Sequence, residues 1–232
     1  SRQNTGPTAT ATAHRREISP LRLDASQMLL LLNWMSPVFP IGSFAYSHGL
    51  ETVIADGDVS TADELEQWIA DVISRGSGWS DAVLFAQCYE TARNDLNDLA
   101  LALAGSAERY QETTQLGRNF LAASSVWTHA ALPEHDIAYP VAAGHACHSL
   151  GIPRDAAVMA FLHGFCAVLV SVAVRLIPLG QTRGLEVMRN LAHVITDVSA
   201  RAAVASLDDL GTACIAAEIA AMRHETLKPR VF

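Results

Sequence analysis

Between Ala156 and Val174 nineteen consecutive residues, AAVMAFLHGFCAVLVSVAV, carry no formal charge. A run of that length has to be withdrawn from water, either by lipid or by enough protein to enclose it. Its composition favours the protein interior. Alanine, glycine, serine, Cys166 and His163 dilute the hydrophobicity, and Arg154, Asp155 and Arg175 bracket the run without the one-sided positive bias of a membrane helix. The chain is long enough to do the enclosing, with 232 residues of which half are apolar and only 17% are charged. The expectation is a buried central helix near 154–176 and no membrane insertion.

The rest of the chain repeats the helical period and shows almost no strand signal. Thr61 and Glu64 form a capping box ahead of Leu65, Trp68, Ile69, Val72 and Ile73, and Gly76 and Gly78 close that helix. Ser80 is the expected N-cap of the next helix, with Leu84, Phe85, Cys88 and Tyr89 inward. Helices are expected over 107–130 and 140–150, with Pro140 in a first turn. After Pro178, Gly180 and Gly184 punctuate the chain, Leu185, Met188, Leu191, Ile195 and Val198 restore the period, and Arg189, His193, Asp197 and Arg201 line the opposite face. A last helix is expected from Asp208 and Asp209 to a stop at Pro229. Residues 1–22, rich in arginine and threonine and without apolar periodicity, are expected to be a disordered tail. The fold class is all-α: a single compact helical bundle over 23–232, of about eight to ten helices.

Charge and cysteine usage narrow the function. The net charge is −8; residues 1–22 carry four arginines and one glutamate, which leaves −11 on the remainder. That balance argues against a nucleic-acid partner, although fifteen arginines against a single lysine, Lys228, suit protein contacts. Cys88, Cys147, Cys166 and Cys214 form no CxxC pair, which fits a reduced, cytoplasmic protein.

The common catalytic signatures are missing. There is no GxxxxGK[ST] or GxGxxG phosphate cradle, no HExxH and no GxSxG elbow, so no catalytic residue and no bound cofactor are expected. His145 and His148 lie three apart on a helix, but Cys147 between them points about 100° away, and two imidazoles alone make no stable metal site.

The segment SPVFPIGSFAYSHGLE, residues 36–51, breaks the helical pattern with Pro37, Pro40, Gly42 and Gly49, while Ser43, Tyr46, Ser47, His48 and Glu51 crowd polar chemistry into it. Together with YPVAAG at 139–144, RLIPLGQTRG at 175–184 and MRHETL at 222–227, it resembles, in this order, the signature segments of the urease accessory protein F family, UreF. The likeness covers about residues 26–232. This resemblance implies an all-helical, non-enzymatic chaperone for nickel insertion, working as a homodimer with urease accessory proteins D (also called H) and G to mature apo-urease. GTP would be bound by the G protein and nickel handled by the complex. It implies partner-interface roles for Pro37, Pro40, Gly42, Ser43, Tyr46, Ser47, His48, Gly49, Leu50 and Glu51, and for Met222, Arg223, His224, Glu225 and Thr226; YPVAAG and RLIPLGQTRG are expected to be folding corners. Two alternatives go with it: a GTPase-activating role through Arg175, Arg183, Arg223 or Arg230, and direct nickel relay. Members commonly end in a motif like LYxRLFRS, whereas this chain reads LKPRVF to Phe232.

Overall fold

Arg154–Leu176 forms one unbroken helix, begun by Pro153 and Asp155, and its apolar length is mostly buried inside the bundle. It is the one helix among the described residues long and apolar enough to cross a membrane. In this computed structural model the described residues are 23–91, 93–129, 132–228 and Val231. The expected tail over 1–22, the stop at Pro229 and Arg230 lie outside them.

Among the described residues ten α-helices follow in order: α1 (Ala25–Trp34), α2 (Leu50–Asp56), α3 (Ala62–Arg75), α4 (Ser77–Gln87), α5 (Arg93–Ala102), α6 (Ala107–Thr128), α7 (Tyr139–Ser149), α8 (Arg154–Leu176), α9 (Gly180–Ala202) and α10 (Ile215–His224). Two 3₁₀ turns, Ser43–Ala45 and Leu207–Asp209, complete the list, and no strand occurs among the described residues. The fold is all-α. Around α8 pack α9 along its length, then α2, α3, α4 and α7; α6 lies on α7, and α10 closes over α2 and α6. One continuous apolar core runs from Leu31 to Ala220.

Local rules account for most boundaries. The Thr61–Glu64 capping box forms, and Asp71 pairs with Arg75 on the outer face of α3. Pro140 sits in the first turn of α7, as the corner reading of YPVAAG requires. Other expectations are corrected. Gly78 does not end α3: Gly76 alone separates it from α4, which begins at Ser77 rather than being capped by Ser80. The Ser80 hydroxyl instead donates to Gly211 O, holding the 207–213 stretch. Asp208 and Asp209 do not start the last helix. Ser206 caps them into a 3₁₀ turn, and an extended stretch tied by Ala213 N to Arg75 O precedes α10. Leu185 faces solvent and Val187 takes the inward place, because the seam on α8 begins at Gly184, against Val174.

Helices approach most closely where glycine removes a side chain. A Cβ on Gly144 of α7 would lie 2.6 Å from Phe85 O of α4 and 2.8 Å from Sγ of Cys88, the residue that follows α4. Gly144→Ala is expected to force α7 off α4 and destabilise the chain by about 1–3 kcal/mol, the usual cost of overpacking. Chemical denaturation with an unchanged midpoint would show that this approach is not tight.

Candidate functional site

Residues 36–51 leave α1 through two tight turns, with Phe39 N on Ser36 O and Ile41 N on Phe39 O, then pass Gly42 at φ +86° into the 3₁₀ turn. Phe39 anchors the loop in an aromatic cluster with Phe120 and Trp127, where Trp34 also packs edge-on. Asn119 Nδ2 donates to Ile41 O, and Tyr46 Oη donates to Gln115 Oε1, so α6 holds the loop along its whole length. Proline stiffness and these anchors mean that little entropy remains to be lost on binding. Val38 and Phe44 project outward, 88% and 59% exposed.

The far end of this loop meets α10. Gly49, at φ +77°, opens α2, and a Cβ there would lie 2.7 Å from Ala221 N and 2.9 Å from Ala220 Cβ. Thr52 Oγ1 donates to Ala220 O at 3.0 Å. His224 is wedged between two carboxylates, with Nε2 2.9 Å from Glu51 Oε2 and Nδ1 2.6 Å from Glu108 Oε1. Arg223 bridges to Asp56 at 2.8 Å, Glu225 Oε1 accepts from Glu108 N, and Glu51 Oε1 accepts from Val231 N. The two segments singled out in sequence, 36–51 and 222–226, are therefore brought together at the α2–α10 junction.

A second buried polar group lies directly behind it. His48 Nε2 is 2.9 Å from Glu112 Oε1; Arg109 reaches Glu112 at 3.0 Å and pairs with Asp81. Burial works to raise the Glu112 pKa, but His48 and Arg109 on either side overcome it and hold the carboxyl down at about 2. Burial also disfavours the Arg109 cation, and Asp81 and Glu112 more than offset this, so its pKa is raised. For Asp81 burial prevails over Arg109 and His48 and the pKa is raised, making it the weaker acid of the two. Cavities of about 40 and 90 Å³ lie on the two sides of these residues, and both are lined by His48, Asp81, Arg109 and Glu112.

The residues expected at the interface thus divide into two groups. Pro40, Met222, Arg223, Glu225 and Thr226 are exposed, and Pro37, Gly42, Ser43, Tyr46 and His48 are half-buried. Ser47, Gly49, Leu50, Glu51 and His224 are buried and pack within the chain, where they hold the segments in place. Glu108, Arg109, Glu112 and Asp81 were missed in sequence. Their only local signal is the spacing of Arg109 and Glu112 on one face of α6, which is equally compatible with a solvated face.

Outside this region, His148 lies edge-on to Tyr89, and no group of three or more metal-capable side chains occurs among the described residues. Of the arginines considered for phosphoryl chemistry, Arg183 pairs with Glu186, Arg223 with Asp56, and Arg175 Nε donates to Ser171 O.

Comparison with known proteins identifies relatives. The UreF family model matches residues 59–192. A urease accessory protein UreF of Cereibacter sphaeroides is 45% identical over 88% of this chain and 97% of its own length. That of Roseobacter denitrificans is 44% identical over 92% and 97%, and that of Rhizobium johnstonii 46% over 88% and 95%.

Because the Glu112 pKa is depressed in the folded chain, its stabilisation is fully present above its ordinary value of 4.5 and is lost as pH falls toward about 2. Over that window wild type is expected to lose up to roughly 3 kcal/mol that Glu112→Gln does not lose. Urea midpoints measured across the acid range check this; parallel curves for the two proteins would contradict it. Separately, Gly49→Ala combines left-handed strain with contact against α10, and is expected to cost about 2–5 kcal/mol in the same assay.

Proposed function

The chain belongs to the UreF family of urease accessory proteins, and from that premise we propose that it serves urease maturation as a docking scaffold. In this role it bridges urease accessory protein D/H and the GTPase accessory protein G, so that GTP hydrolysis by the G protein accompanies nickel delivery to apo-urease. It acts as a cytoplasmic homodimer, performs no catalysis itself, and leaves nucleotide binding to the G protein. The observation that carries this proposal is the convergence of residues 36–51 and 222–226 at one junction. Their buried members are locked by hydrogen bonds and ion pairs, while Phe44, Met222 and Arg223 remain exposed. A rigid frame with projecting aromatic, methionine and arginine side chains is what protein recognition uses.

Supply of an arginine to the G protein is a separate reading: Arg183 and Arg223 sit on the surface, in ion pairs with Glu186 and Asp56. Direct passage of nickel has one supporting feature, the two cavities that share a wall of carboxylates and His48.

Urease activity reconstituted from apo-urease, nickel, bicarbonate, GTP and the other accessory proteins is expected to depend on this chain; equal activity without it would reject the assignment. Phe44→Asp and Met222→Asp change exposed side chains, so folding is expected to survive. Each is expected to weaken capture of the D/H protein by at least about tenfold, the loss typical of an interface anchor. Single-turnover GTP hydrolysis by the G protein, compared for wild type and Arg223→Ala, separates scaffolding from arginine supply: the scaffold predicts equal rates once the complex is formed.

A further inference from the structure

His48 is a non-glycine residue at φ +50°, followed at once by Gly49 at φ +77°. A side chain in that backbone region is retained only where its surroundings fix it. Two contacts do so: Nε2 lies 2.9 Å from Glu112, and the ring lies 4.5 Å from Phe165 of α8. Glu112 is held in turn by Arg109, and Arg109 by Asp81 of α4. One residue beyond His48, the missing Cβ of Gly49 is what admits the backbone of α10.

We propose that His48 is the positioning residue of the docking site: its imidazole joins Asp81, Arg109 and Glu112 in a buried polar quartet, and through the His48–Gly49 elbow this quartet sets how α10 and its exposed face are seated.

The two oxygens of Glu112 have separate partners. Arg109 holds Oε2 and is also committed to Asp81, and His48 Nε2 holds Oε1. Because Glu112 is ionised, a hydrogen bond to it is charge-assisted. Along the adjoining cavities α6 adds Glu108 and α10 adds Glu218; α8 contributes Gly164, Phe165 and Val168, and α7 contributes Tyr139.

The functional meaning of this positioning rests on the docking role proposed above, whereas its structural part is measured on the isolated full-length chain. Hydrogen exchange, corrected for intrinsic rates, is followed in wild type, His48→Ala and His48→Gln. His48→Ala is expected to lose protection about tenfold in 36–51 and 215–226, with α8 and α9 unchanged. His48→Gln, which retains an amide donor for Glu112 but not the ring that packs on Phe165, is expected to keep part of that protection. Unchanged protection in His48→Ala, or a loss spread equally over α8 and α9, overturns the proposal. If His48→Ala does not fold, the same comparison is made on His48→Gln, and full protection there overturns it. Titration of the D/H protein into the variant that folds with lost protection then separates the two claims: undiminished binding keeps the positioning role and rejects docking through this face.

Discussion

Keeping α8 dry is the constraint on which the remaining architecture depends. Its 23 residues carry charge only near the ends, at Arg154, Asp155 and Arg175, and α9, α2, α3, α4 and α7 are placed to cover it. The covering layer achieves this with small residues as much as with large ones. Gly184 lets α9 lie directly on Val170 and Val174, and Gly164 lets the end of α1 approach α8 at Met35. Interiors are close-packed, so such approaches fix the relative positions of helices rather than merely allowing them.

A bundle assembled for dryness leaves little room for polar chemistry inside, yet two polar groups are present. Both occur where the helical pattern fails, at the loop that enters α2. Buried ion pairs are poor sources of net stability, because desolvation consumes most of the Coulombic gain, but removing one partner is costly. Their consequence is geometric. A Glu112 carboxylate bonded by both Arg109 and His48 has few alternative arrangements, and a His224 ring bonded on both nitrogens has few as well. The loop and α10 are thereby held by directional contacts, where apolar contacts alone would permit sliding.

The bundle was legible because periodicity reports burial directly. The α3 face, the Thr61 capping box and the charge-free α8 follow from the residues within each segment. Local preference fails where a tertiary partner or a competing local cap outweighs it. Ser80 looks like a cap but bonds to the distant Gly211, and Asp208 and Asp209 look like a helix start but are claimed by Ser206. The docking segment was recognisable from its prolines, glycines and family likeness. Its dependence on Arg109, Glu112 and Asp81 was not, because nothing local distinguishes a charged helical face turned inward from one turned to water.

That distinction changes what the signature residues mean. In MRHETL, His224 points into the protein while Met222, Arg223 and Glu225 face solvent, and in the 36–51 segment Ser47 and Glu51 are buried while Val38 and Phe44 project. A short motif of this kind encodes both a surface and the clamp that holds it. Substituting a clamp residue changes the shape presented to a partner without removing a contact atom, whereas substituting a projecting residue removes contact and leaves the shape. The two kinds of loss separate kinetically: a lost contact speeds dissociation, while a displaced segment lowers the fraction of chains competent to bind, and with it the apparent affinity.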